Sequence, residues 1–233
     1  MQPTFLPWTG YMALMDHVDE FVFLDHVQFD KRSWQQRNRI KTANGPQWLT
    51  VPVISRGKSD QAIRDVLINR DTPDFPRKMI GAIEHGYGKA AFYKDYAEDV
   101  FALLSRDIRH LLDLNIALIE FFKDRLDIDT PVAFSSRMNV AGRKAALLAD
   151  ICRECGADIY ISPPGSKDYL DAADEFEEAG IPVRYFAYEH PDWPQVHGDF
   201  EPYMSVLDLL MNCGPEAGRI MREGILSEGI RHP

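Results

Sequence analysis

The sequence lacks the features that would assign it to a membrane, secreted or metal-binding class. It has only three cysteines among 233 residues, an odd number that makes no disulfide framework and favours a reducing, cytoplasmic compartment. No apolar run approaches the roughly 20 residues that a membrane-spanning helix needs. Since no basic region precedes an apolar stretch and a small-residue cleavage site at the N-terminus, no signal peptide is expected.

Familiar catalytic and metal-binding motifs are also missing. The chain has no H-E-x-x-H pair, no G-x-S-x-G elbow, no G-x-G-x-x-G turn and no Walker loop. His190 and His197 have Asp199 nearby, but their wide spacing is weak evidence for a metal. Cys152 and Cys155 form a C-x-x-C inside a helical pattern, and the lack of a second pair favours a packing role. We therefore expect neither a metal nor a cofactor.

The charge balance narrows the range of partners. The formal net charge is −10, and 45% hydrophobic with 27% charged residues is typical of a globular protein with a buried core. Because non-specific affinity for nucleic acid depends on spread positive charge, this acidic balance argues against bulk nucleic-acid binding. The length allows one large domain or two small ones, and the absence of a repeat or a long linker favours a single domain over residues 1–233.

Hydrophobic patterning predicts an α/β fold. Strands separated by single helices after Pro131 indicate parallel βαβ units, so we expect a mainly parallel sheet with flanking helices. A helical insertion is expected at about residues 71–128, where three apolar patterns have helical spacing. A basic β-hairpin is expected near the N-terminus, because Asn44-Gly45 is a strong turn signal between residues 40–42 and residues 48–53.

Individual elements are predicted from the same patterns. Thr9 is the expected N-cap of the first helix. The predicted strands cover residues 20–29, 65–68, 132–138, 157–165 (running into a loop) and 181–190. The predicted helices of the C-terminal half cover residues 141–156, residues 168–180 and two segments of 205–223 that are separated at Cys213-Gly214-Pro215.

The segment KRSWQQRNRIK, residues 31–41, concentrates five cationic side chains without a carboxylate. From a loop that leads into a hairpin, Lys31, Arg32, Arg37 and Lys41 can converge on an anion, and Trp34 can stack on a ring or a guanidinium. The alternative is a solvated basic hairpin, which is what a charge run alone usually indicates. Because acidic residues are absent from the run and frequent in the residues before it, we favour a phosphate or carboxylate site for a small ligand.

Three further segments carry candidate functional groups. Asp25 and Gln28 lie at the end of a predicted strand, where open α/β sheets bind ligands, with a strand-end cap as the alternative. Gly165 and Lys167 follow a buried strand, and backbone N–H groups exposed there suit an anion. His197 lies in an aromatic, Pro-rich loop and is a candidate general base, with a structural histidine as the alternative.

The order of these motifs resembles the WbqC-like protein family. The matching segments are QPTFLPWTGY, FVFLDHVQFDKRSWQQRNRIKT, QWLTVPV, ADIYISPPGSKDYLD, FEEAGIPV, HPDWPQVHGDF and SVLDLLMNCGP, and the likeness covers nearly the full chain. The resemblance implies a role in bacterial O-antigen or other surface-polysaccharide biosynthesis. It supports as motif positions Gln2, Pro7, Trp8, Gly10, Tyr11, Asp25, Gln28, Lys31, Arg32, Arg37, Asn38, Lys41, Gly165, Lys167, Asp168, Tyr169, His197, Asp208 and Asn212.

Two departures from the family pattern affect what the resemblance implies. His26 follows Asp25 where the family often has a second aspartate, which weakens any mechanism that needs two adjacent carboxylates. Family members usually have a short apolar strand before QPxxLPW, and that strand is missing before Gln2. We therefore expect that Met1 is an internal start or that the first strand is absent from this chain.

These observations predict a cytoplasmic transferase with a small anionic substrate. The substrate would be a nucleotide- or phosphate-activated sugar, or an amino or acyl donor joined to one; Asp25 or His197 would act as base, while Gln28 and Asn38 would orient the acceptor. The predicted ligand-binding residues are Gln2, Trp8, Tyr11, Gln28, Lys31, Arg32, Trp34, Arg37, Asn38, Lys41, Ser162, Gly165, Lys167, Asp168 and Tyr169. Two alternatives stay open: a nucleic-acid-binding or -modifying protein that uses the hairpin at residues 31–41, and a non-catalytic scaffold of a polysaccharide assembly pathway.

Overall fold

The N-terminal segment is a buried, irregular stretch of chain that leads into the first helix. In the computed structural model, which describes residues 1–58 and 60–226, helix α1 (Thr9–Asp16) is buried along almost its whole length. Trp8 occupies the N-cap position and Thr9 is the first helical residue, so the observed cap precedes the predicted one by one residue. The Trp8 carbonyl accepts hydrogen bonds from the backbone N–H groups of Tyr11 and Met12.

Short strands and helices alternate through the described part of the chain. The strands are β1 (Phe21–Phe23), β2 (Arg37–Thr42), β3 (Gly45–Thr50), β4 (Val132–Phe134), β5 (Tyr160–Ser162) and β6 (Val183–Tyr185). The helices after α1 are α2 (Arg77–Tyr87), α3 (Tyr93–Ser105), α4 (Leu111–Arg125), α5 (Ala145–Cys155), α6 (Lys167–Asp171), α7 (Glu175–Glu178), α8 (Val206–Cys213) and α9 (Ala217–Glu223).

The described strands pair into three two-stranded sheets. β1 pairs with β4 in parallel, with Val22 opposite Ala133, and β5 pairs with β6 in parallel, with Ile161 opposite Arg184. β2 and β3 pair antiparallel. The fold is therefore α/β in the broad sense that was predicted, and two of the sheets are parallel. The described strands do not join into the one mainly parallel sheet that the βαβ pattern indicated.

The antiparallel sheet is a β-hairpin that carries the second half of the basic segment. Residues 37–42 pair with residues 45–50, and Ala43 and Asn44 make the connection. Gly45 has a φ of +90° and already belongs to β3, so the glycine begins the second strand instead of completing the turn. The turn therefore lies one residue earlier than the Asn-Gly signal indicates.

The helices of the predicted insertion pack into the same hydrophobic core as the N-terminal segment. α2, α3 and α4 contribute fully buried side chains that include Ile83, Leu104 and Phe122, and these belong to one cluster with Phe5 and Phe23. The helical spacing of apolar residues explains this burial, because one stripe of each helix faces the core. The observed α4 is shorter at both ends than the pattern over residues 107–127 indicates.

Several elements differ from the sequence predictions in type or extent, and the strand predicted over residues 20–29 ends at Phe23. Residues 65–68 form no strand; a 3₁₀ turn (Ile63–Asp65) and isolated bridges at Leu67 and Ile68 occupy this region. The single helix predicted over residues 168–180 is replaced by the short helices α6 and α7. The strand predicted over residues 132–138 ends at Phe134 and continues as a 3₁₀ turn.

Met1 lies beside β1 as one residue of a parallel strand would. Its α-amino group donates to the Val22 carbonyl at 2.7 Å, and its own carbonyl accepts from the Leu24 N–H at 2.8 Å. This alternation is the hydrogen-bond pattern of a parallel ladder. A cavity of about 570 Å³ adjoins Met1, lined on one side by β1 and on the other by β5. The two parallel sheets therefore flank this cavity instead of pairing with each other.

Burial lowers the pKa of the Met1 α-amino group to about 5. In the unfolded chain this group ordinarily keeps its proton up to about pH 8. Between pH 5 and 8 the unfolded state therefore holds more protons than the folded state, and the free energy of unfolding should rise with pH across this window.

An apolar extension tests whether the strand expected before Gln2 fits beside β1. Four β-branched residues added before Met1 would continue the ladder, bury apolar surface and carry the charged amine away from the core. At pH 6 we expect the melting temperature to rise by about 5–10 °C, and its pH dependence between pH 5 and 8 to weaken. A Gly-Ser extension of equal length is the control, because it moves the amine without adding apolar side chains. Equal melting temperatures for the two extended chains would contradict this expectation.

Candidate functional site

A cavity of about 550 Å³ lies between the N-terminal turn, the hairpin region and the loop after β5. Its size is that of a small-molecule site. The lining residues are Met1, Gln2, Thr4, Trp8, Tyr11, Leu24, Ser33, Trp34, Gln35, Asn38, Arg39, Leu148, Tyr160, Ser162, Pro163, Ser166, Tyr169 and Tyr203. They come from parts of the chain that are far apart in sequence, so the fold and not a single motif makes the site. We call this the aromatic cavity.

Aromatic side chains make up much of its wall. Trp8 packs against Tyr203, with ring centroids 5.8 Å apart, and Trp34 is half-exposed. Tyr11, Tyr160 and Tyr169 also line it. Gly10 fixes the position of the Trp8 indole, because a Cβ atom at residue 10 would overlap that ring. The Trp8 indole can therefore line the cavity only because residue 10 is a glycine and leaves room for the ring.

Uncharged polar groups supply hydrogen-bonding capacity inside this aromatic wall. The Gln35 Nε2 group donates to Gln2 Oε1 at 3.0 Å, so two lining amides are coupled to each other. Ser166 Oγ donates to the Pro163 carbonyl at 2.7 Å and lies 2.5 Å from Ser162 Oγ, which fixes both hydroxyl groups beneath the loop after β5. These side chains can donate to or accept from the hydroxyl groups of a ligand.

Arg39 carries the one side-chain charge among the described lining residues. Its Nη2 atom donates to the Tyr203 carbonyl at 3.3 Å. No aspartate, glutamate, histidine or lysine belongs to the described lining. The aromatic cavity is therefore suited to bind an uncharged ring with hydroxyl groups beside one anionic group, and it does not itself present a carboxylate or imidazole base.

Seven of the predicted site residues line the aromatic cavity together. They are Gln2, Trp8, Tyr11, Trp34, Asn38, Ser162 and Tyr169. Asn38 is buried and has a structural hydrogen-bonding role as well, because its Nδ2 group donates to the Leu6 carbonyl at 2.6 Å. The structure thus brings together seven of the fifteen predicted ligand-binding residues.

The two predicted catalytic residues lie outside the described lining. Asp25 is 3% exposed and accepts hydrogen bonds from the Ser136 N–H at 2.9 Å and the Ser136 Oγ at 2.6 Å, so it holds the 3₁₀ turn after β4. The His197 Nε2 atom lies 2.8 Å from the Gly86 carbonyl, which requires the proton on Nε2. Their roles as a general base stay predictions, and these contacts also fit the structural alternatives.

The remaining predicted binding residues lie outside the described lining, in separate parts of the fold. Lys31 and Arg32 are exposed in the turns before β2, and Gln28 bridges to Ala62. Lys41 is buried and donates to the carbonyl groups of Gly198 and Asp199. Gly165, Lys167 and Asp168 lie in the loop and first turn of α6, where Lys167 forms an ion pair with Asp171. Arg37 packs over the Trp48 ring at 4.3 Å.

The sequence predictions missed several residues at or next to the cavity. Arg39, Gln35, Tyr160 and Tyr203 line it, and Trp48 contacts Trp34 at its edge with ring centroids 5.2 Å apart. Strand alternation was a usable signal for Arg39, because residues 37 and 39 of one strand face the same way. No local signal connects Tyr203 to this place, since it arrives from a distant loop.

An aromatic cluster packs against Trp8 outside the described lining of the cavity. His190 stacks on Trp193 with centroids 4.9 Å apart and lies 6.4 Å from Trp8. Burial lowers the pKa of His190. Its Nε2 atom accepts the Tyr203 N–H at 3.2 Å, so the neutral ring carries its proton on Nδ1. This histidine therefore positions Trp8 and Tyr203 and does not itself line the cavity.

A buried carboxylate organises the loop that follows. Asp208 is fully buried, and its Oδ1 atom accepts from Trp193 Nε1 and Gln195 Nε2, both at 2.8 Å. Burial raises the pKa of Asp208, and the hydrogen bonds counteract part of that rise. Asn212 Nδ2 also donates to Oδ1 at 3.3 Å. Asp208 and Asn212 thus act as a structural anchor for the loop.

No metal-binding cluster of histidine, cysteine and acidic residues is found in residues 1–58 and 60–226. The three cysteines are free, and burial raises the pKa of the Cys152 and Cys155 thiols to about 11. Such thiols stay protonated and are weak nucleophiles at neutral pH. The raised pKa values of these two thiols agree with a packing role for the C-x-x-C segment.

Comparison with known proteins places the chain in a family. The model of the WbqC-like protein family matches residues 2–220. The chain belongs to the WbqC-like protein family. The uncharacterized protein Rv1507c of Mycobacterium tuberculosis is 38% identical over 224 residues, covering 95% of this chain and 96% of the relative. No solved structure matches the chain. None of the helices in the described residues is long and apolar enough to cross a membrane.

Substitution of Gly10 tests how the Trp8 wall is held. Gly10→Ala should displace the Trp8 indole and lower the free energy of unfolding by about 1–3 kcal/mol, because the added methyl group overlaps the ring. Gly81→Ala in α2 is the matched control, since its Cβ would meet nothing within 4 Å. It should raise stability by about 0.5–1 kcal/mol. Urea unfolding followed by tryptophan fluorescence measures both changes, and equal stability of the two variants would refute the overlap.

Proposed function

We propose that this WbqC-like protein is a cytoplasmic transferase of bacterial surface-polysaccharide biosynthesis that binds an activated sugar in the aromatic cavity. The activated sugar, or an amino or acyl donor joined to one, is the predicted substrate class. Family membership supports the pathway, and the chemistry of the cavity supports the substrate class.

The observation that carries this proposal is the combination of aromatic walls with neutral hydrogen-bonding groups. Sugar rings and nucleobases present flat or apolar faces that pack on tryptophan and tyrosine rings, while their edges carry groups that need hydrogen-bonding partners. Trp34 and Tyr169 offer exposed rings for such packing. Gln2 and Gln35 offer amide groups for the hydroxyl groups of the ligand.

The charge of the cavity supports an anionic group on the same ligand. Arg39 can form a charge-assisted hydrogen bond to a phosphate, and the described lining residues include no carboxylate to compete for it. In this proposal Lys31 and Arg32 steer an anionic ligand from the surface instead of contacting it.

The described lining presents no carboxylate or imidazole for the acid–base step, and the predicted bases Asp25 and His197 lie outside it. If either is the base, Asp25→Asn or His197→Gln should lower kcat much more than it changes ligand affinity. If both instead hold loops, the same substitutions should lower the melting temperature and leave kcat nearly unchanged.

Ligand binding by the aromatic cavity can be measured directly. Isothermal titration with UDP-glucose, dTDP-glucose and CMP-sialic acid should identify a ligand that binds the wild-type protein. Trp34→Ala and Tyr169→Ala should each weaken that binding by about 10-fold, since one stacking contact is lost. Ile54→Ala is the matched control, because Ile54 is about as exposed as Tyr169 and lies outside the lining.

Two results would argue for other functions. If none of these sugars, and no acyl or aminoacyl donor, raises the melting temperature of the wild-type protein, a non-catalytic scaffold becomes the better account. If a ligand binds equally well to Trp34→Ala, Tyr169→Ala and Ile54→Ala, it does not occupy the aromatic cavity.

A further inference from the structure

We propose that Arg37 and Arg39, packed on Trp48, form a diphosphate-binding subsite at the edge of the aromatic cavity. The inference rests on the proposed function, because it names the anionic part of the ligand whose ring would occupy the cavity. It assigns the substrate class as a glycosyl diphosphate, in which two phosphates join a sugar to a nucleoside or to a lipid.

Strand geometry places the three side chains together. Residues 37 and 39 alternate on β2, so their side chains emerge on the same face, and Trp48 of β3 is the cross-strand partner of Arg39. The Cζ atom of Arg37 lies 4.3 Å from the centroid of the Trp48 ring, and that of Arg39 lies 5.8 Å from it. One indole therefore orients two guanidinium groups.

These two guanidinium groups have no anionic partner among the described residues. Arg37 and Arg39 have no carboxylate within ion-pairing distance, and the Nε atom of each is buried without a protein acceptor. Arg222, in contrast, is paired with Asp16 at 2.7 Å. Two like charges beside one ring repel each other, and an anion bound between the terminal Nη groups would relieve that repulsion and accept charge-assisted hydrogen bonds from them.

The stack is continuous with the aromatic cavity. Arg39 and Trp34 line the cavity, and the Trp34 ring lies 5.2 Å from the Trp48 ring, whereas Arg37 is outside the lining. A ligand that begins in the cavity would thus meet Arg39 first and Arg37 next. Alternate residues of a strand are about 6.8 Å apart, a separation that a chain of two phosphates spans better than a single phosphate or carboxylate.

Single-stranded nucleic acid is another ligand that aromatic rings and arginine side chains can bind together. Trp34 and Trp48 are 47% and 43% exposed, and exposed aromatic rings beside arginines also bind unpaired bases. The net charge of −10 argues against it, because a long phosphate chain would meet repulsion beyond this short basic segment. We therefore favour a small diphosphate.

The experiment measures binding of four probes to the full chain by isothermal titration. The probes are inorganic pyrophosphate, UDP-glucose, farnesyl diphosphate and an eight-nucleotide oligo-dT. Arg37→Gln and Arg39→Gln should each weaken pyrophosphate and UDP-glucose binding by about 10-fold or more, because a charge-assisted pair is lost. Arg56→Gln and Lys94→Gln are charge-matched controls, because both side chains are exposed and lie outside the described lining, and they should change binding by less than about twofold. Arg37→Lys and Arg39→Lys keep the charge and lose the planar guanidinium group. Their affinities should lie between those of the wild-type protein and the Gln variants.

The outcomes separate this inference from the proposed function. Tighter binding of UDP-glucose than of farnesyl diphosphate identifies a nucleoside as the group beyond the diphosphate, and the reverse order identifies a lipid; both support the subsite. UDP-glucose binding that is weakened in Trp34→Ala but unchanged in folded Arg37→Gln and Arg39→Gln variants would overturn the subsite and leave the proposed function standing. Failure of pyrophosphate, UDP-glucose and farnesyl diphosphate to bind the wild-type protein would overturn the subsite. Salt-sensitive oligo-dT binding that is tighter than UDP-glucose binding would also overturn it.

Discussion

The site depends on how the buried, irregular segment before α1 satisfies its backbone hydrogen bonds. Most residues of this segment belong to no strand or helix, and a buried carbonyl group without a donor is costly. Asn38 of β2 donates to the Leu6 carbonyl at 2.6 Å, and Asn115 of α4 donates to the Gln35 carbonyl at 2.8 Å and reaches Pro3 at 3.4 Å. Two buried amides thus hold the N-terminal segment, the turns before the hairpin and a core helix in one arrangement.

That arrangement explains how remote residues form one cavity. The hairpin fixes the N-terminal segment, and the segment in turn fixes Trp8, whose indole covers Gly10 and meets Tyr203. The hairpin itself is tied to the loop that carries Tyr203, because the Ser205 N–H donates to the Arg39 carbonyl at 2.9 Å. The charged side chains have two kinds of role. Asp208 and Lys41 are buried and anchor loops. Arg37 and Arg39 lie near the cavity, and the Nε group of each has no protein acceptor.

Helical periodicity was enough to predict the helices of residues 71–128. The sequence also singled out Gln2, Trp8 and Trp34, which line one cavity in the structure. The aromatic cavity could not be predicted in full. Lys41 was expected to bind an anion with Arg37, but burial makes its ammonium group a donor to two carbonyl groups of a distant loop. Arg39 was overlooked within a run of five cations, although its alternation with Arg37 on one strand was a usable signal. The contacts of Lys41 with a distant loop are tertiary, and no local signal contains them.

A crystal structure with bound UDP-glucose would test the central claim most directly. The account predicts a sugar or base ring between Trp34, Trp8 and Tyr169, with phosphate oxygens within hydrogen-bonding distance of the guanidinium groups of Arg39 and Arg37. Ligand density at Lys31 and Arg32 with the aromatic cavity empty would contradict it.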